Sequence, residues 1–316
     1  MNFSEFKSKF LKTPVIEHPN KVGSKPKVSV CVPTHNHQPY ITECLESILN
    51  QKTDFDFEIL IGDDDSTDGT KEICLAFAEK FPDKIRFFRH RRQNNIRIDK
   101  TFTGIFNALY SLYCANGKYI AYCDGDDYWG DENKLQHQVN FLDQNPDYVL
   151  TFHEVKYTGR DHKRTIKLKD SQRDLGSEDL KRVIVQPLLL TICFKNVIKD
   201  FPKEITEIIN SDNFLTSLLG HYGKGKYLSY IKPSFYRLHE DGIWSMQAKE
   251  IQLKFKMETY KVIFKFYKSK RNKQLSSFFK LRSKNYTKML IYYNLTHFQV
   301  LKALKNLLSL ARMNWR

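Results

Sequence analysis

Three times in the first half of the chain an apolar run of strand character stops at a polar loop, and twice a helix with an apolar stripe follows at once. Val28–Val32 ends at Pro33-Thr34-His35-Asn36, and a helix is expected from about Pro39 to Gln51. Phe57–Ile61 ends at Gly62-Asp63-Asp64-Asp65-Ser66-Thr67-Asp68-Gly69-Thr70. A helix is expected there over Lys71–Phe81, with Ser66, Thr67 or Asp68 able to cap it. Tyr119–Cys123, bounded by Asn116-Gly117 and Gly125, is a third such run and ends in Asp124, Asp126 and Asp127. Strand, loop and helix alternating at this length predict an α/β domain with a mostly parallel central sheet. In such sheets ligands bind at the carboxyl ends of the strands. The polar loops are therefore expected along one edge.

Three carboxylates packed into Asp124–Asp127 repel one another, and burial adds to that cost. A divalent cation relieves both. Hard oxygen ligands suit Mg²⁺ or Mn²⁺, which keeps waters and completes its shell with substrate phosphates. An acidic turn facing water is the plainer reading of the same residues.

Composition narrows the field further. A chain of 316 residues accommodates one large α/β domain with an appendage. The six cysteines show no C-x-x-C pair, so neither a zinc site nor a disulfide framework is indicated, and a reducing compartment is expected. The N-terminal residues are interrupted by charge, unlike a secretion signal, and no apolar run is long enough to span a membrane. Charge is placed unevenly. From Ile251 to Arg316 sixteen Lys and Arg face one acid, Glu258, a formal +15 that equals the net charge of the whole chain, so residues 1–250 are formally neutral. Leu253, Met257, Tyr260, Phe264 and Tyr267, and then Leu301, Leu304, Leu307, Leu308 and Leu310, recur there at helical spacing. A basic amphipathic segment of this kind suits an anionic membrane surface. It equally suits an ordinary helical appendage packed on the α/β domain or on a second subunit of a homo-oligomer. No nucleic-acid motif accompanies it, and no nucleic acid is expected as a partner.

Val28–Asn36 (VSVCVPTHN), Phe57–Thr70 (FEILIGDDDSTDGT) and Gly117–Trp129 (GKYIAYCDGDDYW) together resemble the family 2 glycosyltransferases, over a stretch from about Lys27 to about Ser245. The resemblance implies the GT-A fold, with an N-terminal extension over 1–26, a catalytic domain over 27–248 and a basic helical extension over 249–316. It further implies transfer of a sugar, with inversion, from a nucleoside-diphosphate sugar donor to a saccharide or lipid-linked acceptor in surface polysaccharide synthesis. A cytoplasmic location is expected, with attachment to the inner face of the cell membrane through residues 251–316 as one option.

By the same resemblance Pro33, Thr34, Asn36, Asp63 and Asp64 hold the nucleotide, Asp124 lies near ribose and metal, and Asp126 is the metal ligand; Lys100 reads either as a phosphate or nucleotide contact or as a surface lysine before a helix. Asp212, in Asn210-Ser211-Asp212-Asn213, where Ser-Asp-Asn also reads as an ordinary helix N-cap, matches the catalytic base. A carboxylate within reach of an acceptor hydroxyl suits that role. Tyr236-Arg237-Leu238-His239 matches the motif closing the domain, where His239 completes the metal shell or contacts the diphosphate through a ring nitrogen and Arg237 pairs with phosphate or carboxylate. One position departs from the pattern: Asp65 stands where the family often has glycine. The alternative function is a catalytically silent nucleotide-sugar-binding scaffold subunit, for which an intact Asp126 and Asp212 would be unnecessary. A nucleotidyltransferase would show a glycine-rich basic loop after the first strand, and Pro33–Asn36 is not one.

Overall fold

A computed structural model describes residues 1–98, 101–159, 172–239 and 247–314. They form two compact units, one of residues 1–201 with 218–237, the other of 202–217 with 238–316. In chain order the elements are α1 (Phe3–Phe10), β1 (Ile16–Glu17), β2 (Val28–Thr34), α2 (Ile41–Leu49), β3 (Phe57–Asp63), α3 (Thr70–Lys80), β4 (Ile85–Arg89), β5 (Arg97–Ile98), β6 (Thr101–Phe102), α4 (Ile105–Cys114), β7 (Tyr119–Tyr122), α5 (Lys134–Gln144), β8 (Tyr148–Phe152) and β9 (Val155–Gly159). There follow α6 (Ser177–Lys181), β10 (Cys193–Lys195), α7 (Ser211–Leu219), β11 (Lys224–Tyr227), β12 (Ser234–Leu238), α8 (Lys249–Ser269), α9 (Lys273–Thr296) and α10 (Val300–Asn314).

The first unit is built on an eight-stranded sheet in the order β1-β4-β3-β2-β7-β10-β8-β11. Its centre, β4-β3-β2-β7, is parallel, while β1 and β10 run antiparallel to their neighbours. Every residue of β3 is buried, as a parallel strand covered on both faces requires. Alternate residues Val28, Val30, Val32, Ile59 and Ile61 pack with Ile41, Cys44, Leu45 and Ile48 of α2 and with Cys74 and Ala78 of α3. On the other face α4 comes close enough that a Cβ on Gly62 would fall 1.8 Å from Asn107 Oδ1. The first 26 residues belong to this unit: β1 extends the sheet beside β4, and Phe6 of α1 is buried against Phe106 of α4.

The second unit is helical. α8 and α9 are joined by a turn in which Arg271 takes a left-handed φ of 56°, and Asn272 caps α9 by accepting from Leu275 N at 3.0 Å. Leu253 and Met257 of α8 pack on Leu290, Tyr286 and Tyr293 of α9, and Tyr260 and Tyr267 both stack on Phe279. Each buried side chain of this size contributes about 1.5–3 kcal/mol, so the hairpin's stability rests on the α8 stripe. Phe214 meets Phe266 edge-on, and Ser217 Oγ bonds the Tyr267 hydroxyl at 2.8 Å, which fastens residues 211–217 to α8.

Candidate functional site

β2 ends between the two acidic loops. Its register pairs Thr34 with Asp63 on one side and Cys31 with Tyr122 on the other. Past the strand ends the backbone bonds continue: Asp64 N donates to Thr34 O at 3.0 Å, and Gly125 N donates to Pro33 O at 3.1 Å. Both loops are thus fastened to the last two residues of one strand, at the sheet edge where parallel strands present their ligand sites.

The loop after β3 is enclosed. Asp63 accepts from Ser66 N at 3.2 Å, and burial pushes its carboxyl up. Asp64 accepts from the Arg92 guanidinium and from Asn95 Nδ2 at 2.7 Å. Burial outweighs those donors and pushes the Asp64 carboxyl up to about 6. One oxygen of each carboxylate, Oδ1, is buried without a protein partner. A buried acceptor left this way is costly unless something else donates to it. Arg92 also bonds His35 Nε2 at 2.9 Å, and burial with the Arg92 charge pushes that imidazole down. Asp65 adopts a left-handed φ of 63°, so the turn that glycine would make freely is kept by an aspartate. Its carboxylate accepts from Arg92 N and Arg91 Nη1, each at 3.2 Å.

The same loop is pinned to the segment after β2. Asn36, at φ 55°, accepts from Thr67 N with its side chain, and its own N–H donates to Ser66 Oγ, both at 2.9 Å. His37 N donates to Thr70 Oγ1 at 2.8 Å and Gln38 N to Asp68 Oδ2 at 2.9 Å. α3 begins behind Gly69 rather than a side-chain N-cap, while Asp68 accepts from Thr70 N at 3.0 Å.

The loop after β7 is tighter in backbone and more open in side chain. A Cβ on Gly125 would lie 2.6 Å from Thr34 Oγ1 and 2.9 Å from His37 Nδ1, so any larger residue between Asp124 and Asp126 would have to displace one of those side chains. Thr34 Oγ1 and His37 Nδ1 are 3.2 Å apart, and His37 Nε2 lies 3.7 Å from Asp126 Oδ2. Asp127 differs from its neighbours. It is buried, accepts from Arg237 N at 2.8 Å, and has its carboxyl pushed up by burial and then by Asp126 and Asp124. Arg237 pairs with carboxylate and carbonyl: Nη2 donates to Glu43 at 2.6 Å and Nε to Asp126 O at 2.9 Å.

Pro33, Thr34, Asn36, Asp63, Asp64, Asp124 and Asp126 therefore gather at one strand edge, with Thr34 and Asn36 spending side-chain atoms on holding the loops. Lys100 lies outside the described residues. Asp212 and His239 fall in the second unit. Asp212 stands in the first turn of α7, and burial pushes its carboxyl up against the opposing pull of Lys256. Lys256 Nζ donates to Asn213 Oδ1 at 2.7 Å. No group of three or more His, Cys, Asp or Glu is placed to enclose a metal ion among the described residues. Arg92, Asn95, His35 and His37 were not singled out from the sequence; only the basic run before Asn94-Asn95 hinted at a counter-ion for the acids.

The sequence profile described as Glycosyl transferase family 2 matches residues 29–200, which contain both loops. The chain belongs to glycosyl transferase family 2. Its fold is that of the GT-A members. Over 89% of its length it superposes on 89% of S. aureus TarS 1-349 in complex with UDP-GlcNAc, at TM-score 0.55 and 18% identity. Over 96% it superposes on 86% of the mannosyltransferase PcManGT from Pyrobaculum calidifontis in complex with GDP-Man and Mn²⁺, at TM-score 0.53 and 17% identity. Among curated proteins, an uncharacterized protein of Mycobacterium tuberculosis, Rv1520, is 37% identical over 41% of this chain and 35% of its own length. The minor teichoic acid biosynthesis protein GgaB of Bacillus subtilis is 29% identical over 70% of this chain and 24% of its own. The chain spans about a quarter to a half of the length of such relatives.

Proposed function

We propose that this family 2 member transfers a sugar from a nucleoside-diphosphate sugar to a saccharide or lipid-linked acceptor during assembly of a cell-surface polysaccharide, with inversion at the anomeric carbon. The observation that carries the reading is the attachment of Asp64 and the Asp124–Asp126 turn to either side of the same strand end. Asp63 and Asp64 would receive the N–H groups of a nucleobase, since each has a buried oxygen awaiting a donor. Arg92 and Asn95 hold the Asp64 carboxylate in place for that contact. Asp126, with Asp124 beside it, would hold Mg²⁺ or Mn²⁺. Because no cage of three protein ligands is present among the described residues, such an ion would draw the rest of its shell from diphosphate and water, as Mg²⁺ and Mn²⁺ sites commonly do. When bound it would neutralise charge on the departing diphosphate. Asp212 would take the proton of the acceptor hydroxyl, a role that its raised carboxyl suits. The TarS and PcManGT complexes support nucleotide-sugar use, and GgaB supports a surface-polysaccharide setting.

Thermal-shift titration of the full chain with UDP, GDP, CMP and dTDP sugars, with and without Mn²⁺, tests the reading. One nucleotide class is expected to raise the melting temperature, and more so with metal. If no nucleotide shifts it under either condition, the donor site is not where the acids converge.

A further inference from the structure

The basic tail carries two apolar stripes, and the structure closes one while leaving the other open. Leu253 and Met257 of α8 are 4% and 5% exposed against α9. α10 turns Ala303 inward, whereas Leu301 and Leu308 are 84% and 64% exposed and Leu304 and Leu307 stand beside them on the outer face. Phe298, in the turn before α10, is 92% exposed, and Tyr292 and Leu295 on the last turns of α9 are exposed as well. Apolar side chains left in water on consecutive turns mark a surface that is covered in use.

Charge indicates what covers it. After Glu258 the chain has no acidic residue. Lys288 shares its α9 face with Tyr292 and Leu295, and Lys305 shares the α10 face with Leu301 and Leu308; both are exposed. Lys302 is held by Glu250 at 2.9 Å. A second copy of this surface would bring cations against cations. A nucleic acid would take the lysines and leave the leucines in water. An anionic bilayer satisfies both sets of side chains, and no helix among the described residues is long and apolar enough to cross one. We propose that the outer face of α10, with the end of α9, lies in the interfacial layer of an anionic membrane. There the leucines and Phe298 sit among the acyl chains, and Lys288 and Lys305 reach the headgroups. The α8 stripe, though equally apolar in sequence, takes no part.

Co-sedimentation of the full chain with vesicles tests this. Binding to phosphatidylglycerol–phosphatidylcholine vesicles should exceed binding to phosphatidylcholine alone at least tenfold and should fall as salt is added. Leu301→Asp/Leu304→Asp/Leu308→Asp should lose at least tenfold in bound fraction, with its circular dichroism and its donor thermal shift unchanged. Independently, the emission of an indole introduced by Leu304→Trp should move to the blue with the anionic vesicles only. Wild-type-like sedimentation of the triple variant, or a wild type indifferent to phosphatidylglycerol, overturns the proposal. So does a concentration-dependent dimer that the triple variant abolishes, which would give the face to a second copy.

Discussion

The two acidic loops flank one strand end yet solve the problem of crowded carboxylates in opposite ways. After β3, Asp64 is withdrawn from solvent, its side chain 5% exposed, and met by Arg92 and Asn95. After β7, Asp126 is 20% exposed, on a turn where Gly125 leaves room for Thr34 and His37, while its neighbour Asp127 is buried and spent on the backbone of Arg237. An enclosed carboxylate with fixed donors is a rigid recognition group. An accessible one on a tight turn is suited to an exchangeable cation.

That contrast is broken most severely at Asp126. Asp126→Ala should lower sugar transfer by about a thousandfold, as expected for removing a group that stabilises developing charge, while the urea midpoint stays near wild type because the side chain is partly exposed. An equal loss of stability and activity would make Asp126 a structural residue like Asp127. Gly125→Ala comes next. The added methyl must displace Thr34 or His37, so a destabilisation of about 1–3 kcal/mol, typical of an overpacked site, should accompany a transfer loss of about tenfold or more. Unchanged activity would show that the turn has slack.

The most diagnostic effect is in pH. If ionised Asp64 accepts from the nucleobase, donor affinity should be flat above about pH 6 and fall about tenfold per unit below it. Stability should move the other way. The folded pKa is raised above the unfolded value of about 3.9, so the native state holds this proton longer. The Asp64 contribution to stability is therefore greatest below about pH 4 and lost as pH rises through 6. Asp64→Asn should remove both slopes, and Arg92→Ala should shift the binding midpoint upward. A pH-independent affinity in the wild type would place the nucleobase elsewhere.

Much of this was legible before folding. Val28–Val32, Phe57–Ile61 and Tyr119–Cys123 announce buried strands because apolar, β-branched and aromatic runs bounded by glycine and acids have few other homes. α2 and α3 begin and end within two residues of expectation. The site's internal wiring was not legible. Arg92 reaches Asp64 across 28 residues and Arg237 reaches Asp127 across 110, and no local pattern encodes such pairings.

By itself, then, the amino-acid order determined where chain direction reverses and which loops carry acid, since backbone preference and side-chain periodicity are properties of neighbours. Tertiary structure alone decided that Asp127 is buried and serves the backbone while Asp126 stays partly exposed. It also decided that the leucines of α10 stay in water while the equally periodic stripe of α8 is buried. Periodicity says that a helix has an apolar face; only the packing of the remaining elements says whether anything is left to cover it.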